Sequence, residues 1–395
     1  MGGSVDLSEQ RARYISLLLP LLAKTPRRLR VLVVGNYGNR NIGDEAILCS
    51  LLDIIEKAAR SAHGDAEVEF YVPVRNAANL YQFHDRRNLH ALPIRRTGHL
   101  FLKLLRCHLV VVGGGGMFSG YTGPLAKLVP YCALGARVLG KKVAYVGIGI
   151  YPTAPAWQRW SVWLSMLFSN LVCARDESSA TTLKSLTRFK EVHVCPDLAL
   201  FLADEGSLSG PEAIQPSLGA ANDEINIGLS IKPLKDRVAT ALLVETFARI
   251  INQLDHVLRH RVRFVFFPFA MTNSLAENDS ALGEALKSRM ENGDCLVLLS
   301  QSRPREFMGL LGQMDLVIGM RLHSQVFAHL THVPLIGIKY EQKNRDFLEN
   351  IGAQSFTVDE VILQTEKVKR AIIDAIPRTA LPHNLGCPSA PLPAS

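Results

Sequence analysis

The chain reads as an α/β protein built from two doubly wound, parallel-sheet domains that face each other across a cleft. Three observations predict this. Short β-branched runs alternate with helical patterns along the length, the signature of βαβ units. The chain holds 395 residues, 48% of them apolar, and single hydrophobic cores rarely grow beyond roughly 250–300 residues, so two domains are expected. Between two series of such runs, residues 203–223 are rich in Gly, Pro, Ser and Ala without apolar periodicity, as an interdomain linker would be.

Residues 1–29 read as an N-terminal extension. The apolar stretch Tyr14–Ala23 is preceded by acids and followed by Arg27, Arg28 and Arg30, with no small-residue cleavage site, so it does not fit a secretion signal. The first domain, residues 30–202, should carry strands near Arg30–Gly35, Val68–Val72, Leu109–Gly113, Val143–Gly147, Leu171–Ala174 and Val192–Cys195. After the linker, the second domain, residues 224–376, should carry strands near Ile225–Ile231, Val262–Phe267, Cys295–Leu299, Leu316–Ile318 and Pro334–Ile338. Two such halves put a ligand cleft at the carboxyl ends of both sheets. The last 19 residues hold five prolines and almost no charge and read as a disordered tail.

Composition narrows the function. The seven cysteines are scattered, without a CxxC pair, and suit buried small hydrophobes in a reducing, cytoplasmic setting rather than a zinc or dithiol site. The uncharged run Trp160–Ala174 is too short to span a bilayer. The net charge of +8 is concentrated in the first half, and residues 76–142 hold ten basic side chains against Asp85 alone. That surface should attract an anion: nucleic acid, phospholipid headgroups or a diphosphate-linked substrate. Within it, residues 95–108 segregate Arg96, His99, Lys103 and Arg106 from Phe101, Leu104 and Leu105 at helical spacing. A helix of that kind either packs on a core with a solvated face or lies on an anionic membrane.

Candidate chemistry gathers where strands hand over to helices. Arg30–Leu48 is a strand, a loop with Gly35, Gly38, Asn41 and Gly43, and a helix opening on Asp44 and Glu45. Those acids exclude a phosphate-cradling loop of the nucleotide-binding kind. They either cap the helix, worth about 1 kcal/mol, or Asp44 holds or deprotonates a sugar hydroxyl. Gly113–Gly116, including Gly114 and Gly115, and Gly147–Gly149 end two further strands. They serve tight turns or let the backbone approach a ligand. Arg175 follows an apolar strand, either paired with Asp176 or Glu177 or free to grip a carboxylate or phosphate. Arg321 and His323 open a helix after the strand 315–320, where helix N-terminus, guanidinium and imidazole together suit an anion and a proton transfer. Lys339 and Lys343 follow the next strand.

Taken in order, GNYGNRNIGDEAIL, VVVGGGGMF, GIGIYP, CARDESS, CPDLAL, MRLHSQVFAH and GIKYEQK resemble the polysaccharide pyruvyltransferase family over Arg30 to about Gly352. The resemblance implies two Rossmann-like halves in the GT-B glycosyltransferase arrangement, phosphoenolpyruvate as donor, and no metal or organic cofactor. It places the family's arginine and histidine on Arg321 and His323 and an anion-binding arginine on Arg175; with Asp44, read from the residues, His323 and Arg321 are the catalytic candidates. Substrate contacts are expected from Arg175, Arg321, Lys343, Asn41, Gly114, Gly115 and Gly149. Lys339 departs from the small residue often found at that position. The implied partners are phosphoenolpyruvate and a saccharide acceptor, carried on a polyprenyl diphosphate at the cytoplasmic face of a membrane, and not nucleic acid. Two rivals are a GT-B-type glycosyltransferase using a nucleotide sugar and a noncatalytic module that binds a phosphorylated metabolite.

Overall fold

A computed structural model describes residues 6–83, 86–118, 124–150, 155–187, 190–203, 224–272 and 277–377. The segment expected as a linker, apart from residue 203, and the proline-rich tail, apart from Pro377, lie outside the described residues.

The first sheet contains β1 (Arg28–Val34), β2 (Glu67–Val74), β3 (Leu89–Pro93), β4 (Leu109–Phe118), β5 (Lys142–Ile150), β6 (Leu171–Ala174) and β7 (His193–Val194). Its order is β3-β2-β1-β4-β5-β6-β7, all parallel. The second contains β8 (Ile225–Ser230), β9 (Val262–Phe266), β10 (Leu296–Leu298), β11 (Leu316–Gly319), β12 (Leu335–Lys339) and β13 (Gln354–Thr357), ordered β10-β9-β8-β11-β12-β13 and again parallel. Each sheet reverses strand order once, beside β1 and beside β8, which opens a crevice at the carboxyl ends. β3 and β13 were not expected. Both are short edge strands whose residues are mostly half-exposed, so neither carries the apolar run that marks a central parallel strand.

Ahead of the first sheet runs α1 (Leu7–Leu22), and between its strands run α2 (Ile42–His63), α3 (Thr97–Arg106), α4 (Pro124–Val138), α5 (Ala156–Leu167) and α6 (Glu177–Leu186). Around the second lie α7 (Arg237–Val257), α8 (Asp279–Lys287), α9 (Pro304–Leu311), α10 (Leu322–Leu330), α11 (Gln342–Asn350), α12 (Val358–Leu363) and α13 (Thr365–Ala375). The apolar N-terminal stretch is α1, capped by Asp6 and packed on α2 through Tyr14, Leu18, Leu21 and Leu22. The Tyr14 hydroxyl donates to the Pro196 carbonyl at 2.8 Å. The extension is therefore part of the first core. No helix among the described residues is long and apolar enough to cross a membrane.

The two units share a core. α2 is buried on nearly every face because it covers the first sheet on one side and meets α9 and α10 on the other. Phe307 of α9 sits edge-on to Phe267 and Phe269, with ring centroids 5.3 and 5.2 Å apart, and Phe327 of α10 lies 5.4 Å from Phe269. All four belong to the apolar cluster that also contains Ile47, Leu51 and Leu52 of α2. Main-chain bonds reinforce the contact. Ile42 N–H donates to the Phe269 carbonyl at 2.8 Å, and Met271 N–H to the Arg40 carbonyl at 3.0 Å. Asp53 of α2 accepts Arg305 at 2.5 Å. Truncating Phe307 to alanine should cost about 3–5 kcal/mol, read as a lower thermal midpoint. An unchanged midpoint would contradict the shared core.

Candidate active site

The site is assembled from strand ends of both sheets, with α2 entering from the first unit and α10 and α11 from the second. Asn41 caps α2, its side chain accepting from Gly43 N–H at 3.1 Å, and its backbone bridges antiparallel to Ala270 of the other unit. Expected as a substrate contact, Asn41 is committed to the domain junction. Asp44 follows in the first turn of α2. Its Oδ2 accepts the Asn36 amide at 2.8 Å, and Asn36 in turn accepts from Asn39 at 2.6 Å. Burial pushes Asp44 up to about 6, against the Asn36 bond and the charge of Lys343. A carboxyl poised there is a base near neutral pH.

Glu45 faces the other way. Its Oε1 accepts Gly38 N–H at 2.7 Å, while Oε2 is buried without a partner, and burial pushes the group up to about 8. Glu45 is thus protonated at neutral pH and pins the loop at Gly38, whose φ of 69° needs glycine. The two adjacent acids have separate tasks.

His323, in the first turn of α10, lies against the start of α2. A Cβ added to Gly43 would fall 1.9 Å from His323 Nδ1, so only glycine at 43 admits the ring. Its Nε2 is buried without a partner. Burial pushes the imidazole down to about 4, Asp197 working against the shift and Arg175, Lys343 and Arg321 with it. In this state His323 is neutral at pH 7.

Arg175, expected at the carboxyl end of its strand, is there, with its side chain 4% exposed. Its Nε donates to Asp176 at 3.3 Å and its Nη1 to Asp197 at 3.4 Å. Its charge acts on both Asp44 and His323, as does that of Lys343. Lys343 pairs with Glu341 at 2.8 Å. Asp44, His323, Arg175 and Lys343 therefore share one electrostatic neighbourhood.

Arg321, expected at an anion site, is paired within the protein. Its Nε and Nη2 clasp Asp279 at 3.1 and 2.6 Å, and Asp279 is fully buried and also accepts Ala270 N–H at 2.9 Å. Burial disfavours the Arg321 charge, but Asp279 outweighs it and holds the guanidinium protonated. At two of the glycines, where close approach of a ligand or of another chain segment was expected, protein atoms occupy the place of a side chain. A Cβ at Gly114 would lie 2.5 Å from the Gly147 carbonyl oxygen, and one at Gly149 2.6 Å from Arg175 Nε. Gly115, at φ 101°, is the one whose Cβ position faces Asp44, 3.4 Å from Oδ1.

A cavity of about 810 Å³ opens at the carboxyl ends of β8, β12 and β13, lined by Lys232, Glu277, Lys339, Tyr340 and Arg345 among others. Lys339 is thus a cavity residue. Lys232 Nζ lies 4.6 Å from the centre of the Tyr340 ring, and burial pushes its ammonium down to about 8. Sequence reading singled out none of Asn36, Asp197, Lys232 and Asp279. Asn36 and Asp197 fall inside quoted segments, GNYGNRN and CPDLAL, and could have been found there. Lys232 and Asp279 acquire their roles only from tertiary partners. Among the described residues, no group of three or more His, Cys, Asp or Glu is placed to hold a metal ion.

A group whose folded pKa is raised contributes stability that is present below its unfolded value and lost as pH rises through the folded one. Glu45 should thus make the protein less heat-stable as pH climbs through about 8, and Asp44 acts in the same sense near 6. Glu45→Gln keeps the acceptor for Gly38 and should flatten the alkaline part of the fall. Melting curves from mildly acidic to mildly alkaline buffer check this, and matching profiles for wild type and variant would refute it.

None of the curated proteins compared with the chain matches it in sequence. Solved structures share its fold. The S. aureus MnaA–UDP structure superimposes with a TM-score of 0.58 at 12% identity, covering 88% of this chain and 89% of that one. A UDP-GlcNAc 2-epimerase from Neisseria meningitidis bound to UDP-GlcNAc gives 0.55 at 13%, covering 89% and 94%. A UDP-forming trehalose-phosphate synthase from Burkholderia xenovorans gives 0.50 at 14%, covering 89% and 92%. At such identities the likeness speaks for the fold: two Rossmann-like domains in the GT-B arrangement. The family model for polysaccharide pyruvyl transferase matches residues 41–342, a span that contains α2, Arg175, Arg321 and His323. The chain belongs to the polysaccharide pyruvyl transferase family.

Proposed function

We propose that this transferase moves the pyruvyl unit of phosphoenolpyruvate onto two hydroxyls of a sugar, releasing phosphate, with a saccharide acceptor carried on a polyprenyl diphosphate at the cytoplasmic membrane face. The observation that carries the reading is the convergence of a base-poised carboxyl, Asp44, and a neutral imidazole, His323, from two different domains around the shared cations Arg175 and Lys343. Phosphoenolpyruvate brings a phosphate and a carboxylate on one three-carbon unit, which suits such cations.

The reaction needs a proton on the vinyl methylene, two C–O bonds to the central carbon, and cleavage of the bond from that carbon to the phosphate oxygen. In the proposed sequence His323 protonates the methylene while one acceptor hydroxyl adds to the central carbon and gives its proton to Asp44. Departure of phosphate leaves an oxocarbenium that the second hydroxyl captures, and its proton leaves with phosphate or solvent. The resting imidazole is neutral because it is buried among cations. Bound donor supplies negative charge that offsets them and raises its proton affinity. Asn36 keeps Asp44 oriented toward the acceptor. Arg321, tied to Asp279, acts as the brace that fixes the start of α10 rather than as a donor clamp.

A second reading is nucleotide-sugar transfer, and the relatives in fold favour it. They include structures with UDP and with UDP-GlcNAc and a UDP-forming synthase, and the cavity beside Lys232 and Tyr340, at about 810 Å³, has room for far more than a three-carbon donor. One assay separates the two. Purified protein is offered phosphoenolpyruvate or a nucleotide-sugar panel with lipid-diphosphate saccharides, and release of inorganic phosphate or nucleoside diphosphate is followed. Acceptor-dependent phosphate release from phosphoenolpyruvate, lowered on the order of 10²–10⁴-fold in His323→Gln at unchanged melting temperature, is the expected result. Nucleoside diphosphate release alone would transfer the assignment to the second reading. Wild-type turnover in His323→Gln would remove the histidine from the mechanism.

A further inference from the structure

The side of the first sheet away from α2 is covered by α3, α4 and α5, packed side by side. Each turns an apolar face inward: Leu100 and Leu104 of α3, Cys132, Ala133 and Ala136 of α4, and Val162 and Met166 of α5 are buried in one cluster. The surprise is outward. On α3, Phe101 is 56% exposed, with Leu102 and Leu105 beside it. On α4, Tyr131 and Val138, two turns apart, are 72% and 87% exposed. On α5, Trp157 and Trp160 are exposed one turn apart, and the Trp160 ring leans on Trp163 at 5.2 Å. Three neighbouring helices in one layer thus present large apolar side chains on their solvent sides. Several large apolar side chains exposed on adjacent helices of one layer point to an interaction site.

Charge identifies the partner. No Asp or Glu occurs from residue 86 to residue 175, a stretch that contains all three helices. Arg95, Arg96 and Arg106 flank the apolar face of α3, and Arg159 lies between the two exposed tryptophans of α5; all four are exposed. We infer that the α3–α4–α5 face docks on an anionic lipid bilayer, its aromatic and leucine side chains entering the headgroup boundary and its arginines meeting lipid phosphates. A second copy of the chain is disfavoured as occupant, because a two-fold contact would set these arginines against their own copies without a carboxylate between them. The expected amphipathic helix at 95–108 is one third of the surface. Its Leu104, grouped there with Phe101 and Leu105 on the apolar face, packs inward, and the outward apolar positions are Phe101, Leu102 and Leu105.

The inference extends the lipid-borne acceptor proposed above. Vesicle binding is measured without donor or acceptor, so failure to bind and failure of pyruvyl transfer are separate results. All three tryptophans of the chain, Trp157, Trp160 and Trp163, lie on α5, so their fluorescence reports this face. With phosphatidylglycerol-containing vesicles at low salt, the full chain should cosediment and its emission should shift to the blue. Pure phosphatidylcholine vesicles or high salt should weaken both. Phe101→Ser and Trp160→Ser, at exposed positions, should keep the wild-type melting temperature and each lower vesicle binding several-fold. No cosedimentation with phosphatidylglycerol vesicles at low salt would overturn the inference, as would wild-type binding by both variants. Concentration-dependent dimers that Phe101→Ser abolishes would assign the face to a second copy and likewise overturn it.

Discussion

The packing of α2 against the second unit is the contact on which the rest of the structure depends. One helix is core to the first sheet and, through Phe269, Phe307 and Phe327, core to the junction as well. Its first turn is fastened by main-chain bonds between residues 40–42 and 269–271, so its position is set by backbone geometry and not by side chains alone. The consequence is local and chemical. Asp44 is one residue beyond Gly43, and Gly43 is where His323 rests. A shift of α2 along its axis would separate a carboxyl of one domain from an imidazole of the other, and each would return toward its ordinary pKa.

Burial at that junction is expensive for charge, and the protein divides the cost by function. Charges that hold structure are paired. Arg321 with Asp279 is an enclosed two-point ion pair, and leaving either partner alone would strand a buried charge. Groups placed to exchange protons are left with open valence. His323 Nε2 is buried without a partner, and Asp44 keeps Oδ1 toward Gly115 while Oδ2 is held by Asn36. Glu45 falls between these classes: its Oε1 holds the loop by accepting Gly38 N–H, while burial raises its carboxyl to about 8 against that bond.

Much of the fold was legible in the sequence because parallel strands buried on both faces must be continuous apolar runs. β3 and β13 escaped because edge strands are under no such demand. At the site, Arg175, His323 and Asp44 could be picked out because strand-to-helix junctions gather at one sheet edge whatever the tertiary detail. The glycines could not be resolved that way. What forbids a side chain at Gly149 is the Arg175 guanidinium, and at Gly114 the Gly147 carbonyl, neighbours that spacing does not reveal. The partner of Arg321 was hidden for the same reason. Its pairing is with Asp279, 42 residues earlier, and an arginine at a helix start looks equally suited to a ligand until that partner is in view.

The account makes His323 a group whose protonation is set by what occupies the site: near 4 when it is buried among cations, higher when an anionic donor offsets them. The most direct test is an NMR titration of the His323 imidazole in the full chain, alone and with saturating phosphoenolpyruvate. The account predicts a strongly depressed pKa in the free protein and a rise of at least about one to two units with the donor, the size of shift that a nearby opposite charge gives. An imidazole that titrates near 6.5 in the free protein, or one that phosphoenolpyruvate leaves unmoved, would contradict it.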